Sequence, residues 1–115
     1  MNVKIQYIDL ISNFIVDVNN IVCIYNPIRM MKVKKPTDKE IQQTQQWATW
    51  TKGPSSFPWF YTEKETCFIL SGKADVMDDK GNCISFEAGD WVEFSQGLTC
   101  TWKIHETIKK RYNFG

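Results

Sequence analysis

The sequence has no excess of charge of either sign. Its 14 Lys and Arg residues balance 13 Asp and Glu residues, which leaves a formal net charge of +1. Nucleic acids and anionic membranes attract proteins through clustered basic groups. The two basic runs here, Lys32–Lys35 and Lys109–Arg111, hold three charges each, and we interpret both as solvated surface. We therefore predict neither a nucleic-acid partner nor a membrane partner.

The sequence also lacks a long apolar run and closely spaced cysteines. Polar residues from Asp9 to Asn20 interrupt the only candidate membrane span, and that stretch lacks the basic start and apolar centre of a signal peptide. No C-x-x-C pair occurs, which argues against a zinc knuckle or a thioredoxin-type motif. We expect reduced thiols in a cytoplasmic protein. The four cysteines are Cys23, Cys67, Cys83 and Cys100.

Aromatic side chains, in contrast, are abundant. Phe, Trp and Tyr make up 14% of the 115 residues, and five of them are Trp. Large flat side chains favour strands and are suited to a barrel interior or a stacking pocket. A chain of this length has room for one domain with one hydrophobic core. The composition therefore favours a single β-rich domain.

The first 29 residues differ from the rest. Residues 1–29 are rich in Ile, Val and Asn, contain no Gly and no Trp, and end at the turn signal Asn26-Pro27. We interpret them as an N-terminal extension of unassigned role that could add an edge strand, for example through Asn20–Tyr25. The domain proper is predicted to cover residues 30–115.

That domain begins with one helix signal and continues as strands. Thr37 and Glu40 form a capping-box pattern after Pro36, which predicts a short helix over about residues 38–45. The β region is predicted to start at Trp47–Trp50 and to have no further helix. Short antiparallel strands after one small helix indicate an all-β jelly-roll barrel. The predicted strands are 31–34, 57–61, 66–70, 73–77, 83–86, 91–94, 99–104 and 107–112.

Four glycines and one glutamate are regularly placed in two stretches. The glycines are Gly53, Gly72, Gly89 and Gly97, and Glu65 lies between the first two. This spacing resembles the paired motifs of the cupin superfamily, in which the first motif has a Gly, a His-x-His pair, a Glu and a second Gly, and the second has two Gly residues and a His. Without insertion, the glycines and Glu65 keep their places, while Trp59, Tyr61 and Cys100 stand where the three histidines belong. The resemblance implies a cupin barrel whose metal ligands are replaced.

A narrower resemblance covers residues 32–114. The strings that carry it are Phe57–Tyr61, Glu65-Thr66, Leu70–Gly72, Ala88–Asp90, Gly97–Trp102 and Lys110–Phe114. They are similar to those of a family of small cupins named for the cupin domain of (S)-ureidoglycine aminohydrolase. The resemblance implies the fold and, as one alternative, a metal-dependent C–N hydrolase.

The residue types at the motif positions argue against a usual metal site. The Trp59 indole donates a hydrogen bond and has no lone pair to offer, and Tyr61 would have to lose a phenolic proton. Glu65 is a good oxygen ligand, and Cys100 would bind a metal only as a thiolate, which apolar surroundings disfavour. We predict no cofactor, with Glu65, Cys100 and Tyr61 as weak candidates for a divalent metal.

Strand alternation predicts that the motif side chains share the barrel interior. A carboxylate there costs several kcal/mol unless it is paired, so we expect Glu65 to accept from Tyr61, Trp59, Cys100 or a ligand amine or hydroxyl. One hypothesis is a pocket for a small polar molecule, and the alternative is a filled core. His105 is interpreted as a surface residue facing away from Cys100. The predicted pocket residues are Trp59, Tyr61, Glu65, Cys67, Cys100 and Trp102.

Three functions remain open from the sequence. The first is a cupin that binds a small molecule without a conventional metal site, the second is the C–N hydrolase, and the third is a non-enzymatic interaction scaffold. We also predict a homodimer that pairs through a sheet edge or a sheet face.

Overall fold

A computed structural model describes residues 30–115 of the chain, and the predicted extension over residues 1–29 lies outside this part. Within the described part, seven strands and one short helix follow one another. They are β1 (Met31–Lys34), α1 (Asp38–Gln43), β2 (Ala48–Lys52), β3 (Ser55–Phe60), β4 (Glu65–Asp78), β5 (Cys83–Glu87), β6 (Trp91–Phe94) and β7 (Thr99–Phe114). This is the all-β arrangement with one short helix that the sequence predicts. No helix in residues 30–115 is long and apolar enough to cross a membrane.

The helix begins where the capping box predicts. The Glu40 amide donates to the Thr37 hydroxyl over 3.1 Å, and the Thr37 amide donates to the Glu40 carboxylate over 2.9 Å. Both bonds give a partner to a backbone amide that the first helical turn would otherwise leave without one. After Gln43 the chain tightens into a single 3₁₀ turn over Thr44–Gln46, so the predicted end at residue 45 is correct to within the usual fraying.

Two long strands, β4 and β7, organise the sheet. They pair antiparallel along most of their length, and the strand order is β1-β6-β4-β7-β2, with β3 also on β7 and β5 also on β4. The sequence predicts a break in each of these strands, at Ser71-Gly72 and at His105-Glu106. Both predictions are wrong, because the chain bends at these points while each strand continues.

The bend in β4 depends on Gly72. Its φ is +98°, and a Cβ at this position would lie 2.1 Å from the Thr107 carbonyl oxygen of β7. Only glycine combines that backbone conformation with such a close approach. The β4–β7 pairing shifts register repeatedly between Ile69 and Ala74, which is the irregularity expected where a sheet curves into a barrel. The bend divides β4 into one half before Gly72 and another half after it.

Strand alternation is confirmed on both long strands. Glu65, Cys67 and Ile69 of β4 are buried. Cys100 and Trp102 of β7 are buried, whereas His105 lies at the surface as predicted. The apolar core contains Cys67, Ile69, Cys100 and Trp102 together with the buried side chains Met31, Tyr61, Ala74, Val76, Phe86, Val92, Phe94, Leu98, Ile104 and Ile108.

Candidate functional site

An aromatic cavity of about 250 Å³ opens at the end of the barrel where β4 begins and β7 ends. Strands β2, β3, β4 and β7 and the residue that follows β3 contribute its wall. Seven of the nine lining side chains are aromatic and two are charged. The lining residues are Trp50, Phe57, Trp59, Tyr61, Glu65, Trp102, Lys110, Tyr112 and Phe114.

The two charged residues of the cavity form a buried ion pair. Lys110 Nζ donates to Glu65 Oε2 over 2.9 Å, and the two side chains are only 6% and 4% exposed. Lys110 is at an inward position of β7, opposite Ile69 of β4. The interpretation of Lys109–Arg111 as solvated surface is therefore wrong for Lys110, because the strand phase turns its side chain into the barrel.

Lys110 also lies among aromatic rings. Its Nζ is 4.6 Å from the ring centroid of Trp50, 4.8 Å from that of Trp102 and 5.8 Å from that of Tyr112. All three distances are within the roughly 6 Å over which a cation is attracted to a ring face. The sequence predicts that Glu65 accepts from Tyr61, Trp59, Cys100 or a ligand. The donor in the structure is none of these, because the ammonium group of Lys110 pairs with Glu65.

Tyr61 is buried close to this pair and has two well-defined contacts. Its ring stacks on Phe94 with centroids 4.8 Å apart and an interplanar angle of 9°. Its hydroxyl accepts from Trp102 Nε1 over 3.3 Å. Burial raises the pKa of Tyr61 far above its ordinary value, and the charge of Glu65 adds to the effect. Tyr61 is therefore a neutral phenol that still has a proton to donate.

Trp59 lies at the mouth of the cavity and does not fill the barrel. It is 49% exposed, and its ring contacts that of Tyr61 edge-on with centroids 6.4 Å apart. Trp59 and Cys100 are paired across β3 and β7, yet their surroundings differ because β3 lies at the rim of the cavity. A large aromatic surface is thus available at the opening.

The two predicted pocket cysteines are buried beside the cavity and are not among its lining residues. Burial raises the pKa of the Cys67 thiol, although the nearby Lys110 ammonium opposes this shift. Burial also raises the pKa of Cys100 to about 11, with the charges of Asp78 and Glu65 adding to it. The Cys100 thiol donates to the Trp59 carbonyl over 3.6 Å. Both thiols are therefore neutral at neutral pH.

These donors do not fit a divalent metal. Trp59 has no lone pair to offer, Tyr61 and Cys100 keep their protons, and the Glu65 carboxylate is already paired with an ammonium group. A catalytic metal needs about three good protein ligands. In residues 30–115, no three His, Cys, Asp or Glu side chains are grouped so that they could hold a metal ion. The metal chemistry of other cupins therefore has no matching ligand set here.

Three of the cavity residues are not among those predicted from the sequence. The sequence indicates only that the β region starts near Trp50, it predicts a solvated surface for Lys110, and it assigns Tyr112 no role in the site. The sequence does contain a signal for Lys110 and Tyr112. Both are an even number of residues from Cys100, so on one continuous strand all three side chains lie on the same face. The predicted break at His105-Glu106 hid this common phase, and the usual exposure of lysine argued against burial.

A second cleft of about 330 Å³ lies along the half of β4 that follows Gly72. There His105 Nε2 is 2.7 Å from Asp75 Oδ2, and the Ser85 hydroxyl donates to Asp75 Oδ1 over 2.7 Å. These hydrogen bonds, first that with His105 and then that with Ser85, lower the pKa of Asp75. The His105 and Asp75 side chains are 43% and 46% exposed, so water screens this pair.

Asp90 is the remaining acidic residue of interest, and it has a structural role. It accepts from the Glu87 amide over 2.8 Å and from Lys35 Nζ over 2.6 Å. The first bond closes the turn between β5 and β6. The second connects that turn to Lys35, which follows β1, so both oxygens of Asp90 have structural partners.

Comparison with known proteins places this geometry in a family. Residues 40–112 match the family described as EutQ-like cupin domain. A DUF861 family protein of Thermotoga maritima is 39% identical and superposes with a TM-score of 0.72, over 74% of this chain and 99% of that chain. No protein of curated function matches the sequence.

Two more distant structures share the fold alone. The EutQ protein of Clostridium difficile is 17% identical with a TM-score of 0.54, over 57% of this chain and 52% of that chain. A putative ethanolamine utilization protein Q of Salmonella typhimurium is 13% identical with a TM-score of 0.54, over 87% of this chain and 83% of that chain. The narrower resemblance to the ureidoglycine aminohydrolase family stays a prediction.

Proposed function

This chain belongs to the EutQ-like cupin domain family, and we propose that its barrel binds a small polar molecule in the aromatic cavity without a metal. The observation that supports this most is the ion pair of Glu65 and Lys110, which lies in the cavity wall and is almost fully buried. The cavity, at about 250 Å³, is slightly smaller than the roughly 300–1,000 Å³ of common ligand pockets. A compact ligand is therefore expected.

The ion pair supports binding because it is expensive as a purely structural device. Removing two charges from water costs several kcal/mol per ion, and replacing such a pair with apolar residues is often neutral or stabilising. Apolar aromatic walls with a few converging polar groups are typical of sites for small molecules. Both features occur together at the cavity, and the filled-core alternative accounts for the aromatic residues but gives no reason for the charges.

The two other functions receive less support. A metal-dependent C–N hydrolase related to ureidoglycine aminohydrolase would need ligands that Trp59, Tyr61 and Cys100 do not supply. An interaction scaffold would not need charged groups inside its barrel. Metal analysis of protein purified without chelators is expected to find no stoichiometric Zn, Mn, Fe or Ni. One tightly bound equivalent that is lost in Glu65→Ala would contradict the metal-free proposal.

Thermal denaturation in the presence of a library of small polar compounds tests the proposal directly. A ligand that binds only the folded state stabilises it by about 2.7 kcal/mol at a concentration one hundred times its Kd. We expect at least one compound to raise the melting temperature of the wild type and to have no effect on the Glu65→Gln/Lys110→Met double variant. Asp75→Asn, in the second cleft, is the matched control and should keep the response. If no compound stabilises the wild type, the proposal fails.

We also propose that the chain forms a homodimer. The support is that β1 pairs only with β6 among the described strands, which leaves one edge open to a second copy. Phe60, which does not line the cavity, is in addition a large apolar side chain that is 54% exposed. Light scattering at micromolar concentration should give twice the chain mass of 13.5 kDa. A value equal to one chain would refute the dimer.

A further inference from the structure

The ammonium group of Lys110 has more hydrogen-bond donors than the described residues can accept. A lysine has three N–H donors. The Glu65 carboxylate accepts one of them, and the neighbouring Cys67 sulfur is at most a weak acceptor. The other close neighbours are ring faces, with Trp50 and Trp102 nearest. At least one buried N–H of Lys110 is therefore left without an oxygen or nitrogen acceptor in residues 30–115.

Tyr61 has an excess donor in the same cavity. Its hydroxyl oxygen already accepts from Trp102 Nε1, and its own proton has no acceptor among the residues that the structure describes. The side chain is only 2% exposed, so bulk water is largely kept from that proton. Since the phenol stays neutral, it remains a donor over the whole physiological pH range.

The acceptor side of the cavity, in contrast, is occupied. Glu65 accepts from Lys110, and the Cys67 thiol lies against the same carboxylate. A ligand amine would have to compete with Lys110 for Glu65 and would bring a second positive charge close to the first. The polar groups of the cavity that still lack a partner are therefore hydrogen-bond donors. An amine ligand, which the sequence suggested, would not pair with them.

We infer that the ligand of the proposed site carries a carbonyl or carboxylate oxygen that accepts from Lys110, next to a flat apolar group that packs against the aromatic wall. The inference rests on the proposed function and specifies the chemical class of the ligand. Tyr61 supplies a second donor in the same cavity, and the exposed ring of Trp59 is available to the apolar group.

Isothermal titration calorimetry with three probes of similar shape tests the inference. The probes are benzamide, benzoate and benzylamine, which present a carbonyl, a carboxylate and an ammonium group on the same ring. We expect benzamide or benzoate to bind the wild type at least ten times more tightly than benzylamine, a difference of about 1.4 kcal/mol. Whichever of the first two binds more tightly identifies the neutral or the charged oxygen acceptor.

Variants identify the donor. Lys110→Met keeps much of the side-chain volume and removes the N–H groups, so the preference for the oxygen probes should disappear. The Glu65→Gln/Lys110→Met double variant should behave in the same way and leaves no unpaired buried charge if the single variant folds poorly. Tyr61→Phe should weaken benzamide binding severalfold and leave benzylamine unchanged.

Several outcomes would overturn the inference. They are benzylamine binding as tightly as the other probes, a preference for oxygen probes that persists in the double variant, or no binding of any of the three. The compound library separates this failure from that of the proposed function. A library ligand without an oxygen acceptor would contradict the inferred ligand class but not the proposed binding function. If no library compound binds, both are contradicted.

Discussion

The two halves of β4 each hold a carboxylate that contacts a basic side chain, and the two pairs have similar contact distances but very different exposure. Before Gly72, Glu65 lies 2.9 Å from Lys110, and after it Asp75 lies 2.7 Å from His105. The first pair is 4–6% exposed and the second 43–46%. A pair in water contributes roughly 0–1 kcal/mol, whereas breaking a buried pair costs about 3–5 kcal/mol. Burial, and not distance, therefore determines how much each pair should contribute to the stability of the folded state.

Removal of Lys110 should have the largest effect. Lys110→Met leaves the Glu65 carboxylate buried without its partner, and we expect a loss of about 3–5 kcal/mol in the free energy of unfolding. Urea denaturation of the variant and the wild type measures it. Asp75→Asn should change stability by less than about 1 kcal/mol, and the Glu65→Gln/Lys110→Met double variant should recover most of the loss. Equal effects in both halves of β4 would contradict the comparison.

Substitution of Gly72, at the bend between the two halves of β4, should have the second largest effect on stability. In Gly72→Ala the new Cβ would meet the Thr107 carbonyl, at a φ of +98° that alanine rarely adopts. We expect a loss of about 3 kcal/mol, at the upper end of the cost of such a conformation because the contact adds to it. Gly81→Ala is the control, since it shares a positive φ of +87° and has no atom within 4 Å of the new Cβ. It should lose about 1 kcal/mol. Similar losses in both would show that the close approach does not matter.

Glu65→Gln should cost less than Lys110→Met. The amide oxygen of Gln can still accept from Lys110, but the charge that balances the ammonium is gone. We expect a loss of about 2 kcal/mol in chemical denaturation, together with loss of any ligand whose binding needs the charged pair. A variant as stable as the wild type would mean that the pair contributes nothing to the folded state.

The smallest expected effect is the pH dependence of the contribution that Asp75, in the half of β4 after Gly72, makes to stability. Hydrogen bonds from His105 and Ser85 lower the pKa of folded Asp75 below its ordinary value of 3.8. The contribution of Asp75 is therefore present above that value and is lost as the pH falls through the lower folded pKa. Because the pair is half exposed, we expect less than about 1 kcal/mol. The stability difference between wild type and Asp75→Asn should be seen at pH 7 and should shrink towards pH 2. A difference that grows on acidification would contradict this sign.

What the sequence could predict depends on how local the signal is. The capping box of Thr37 and Glu40 acts within four residues, and the structure confirms it. Strand phase correctly placed Cys67 and Trp102 inside because alternation is also local. Whether an inward residue lines a cavity or packs in the core depends on strands that meet from distant parts of the chain. Alternation alone therefore could not predict that Cys67 and Cys100 are buried beside the cavity and do not line it.

The pairing of Glu65 with Lys110 was not predicted for the same reason. Lys110 is 45 residues away, and its inward phase follows only if β7 is one continuous strand. His105-Glu106 looks like a strand end in the sequence, since two polar residues meet there. The close approach of Gly72 to Thr107, which bends the sheet without ending the strand, is a contact between two strands that neither segment reveals alone.

The half-exposed indole at the cavity mouth gives the barrel an optical reporter of its own. Trp59 is 49% exposed, whereas Trp91 and Trp102 are 6% and 2% exposed. Trp47 and Trp50 are partly buried. Iodide in the solvent should therefore quench the emission of Trp59 most strongly, that of Trp47 and Trp50 less, and that of the two buried indoles hardly at all. A molecule that covers the opening would shield this ring, so the accessible fraction of the fluorescence would fall as the cavity fills. If the proposed ligand binds, iodide quenching of the unlabelled protein should therefore report how much of the cavity is occupied.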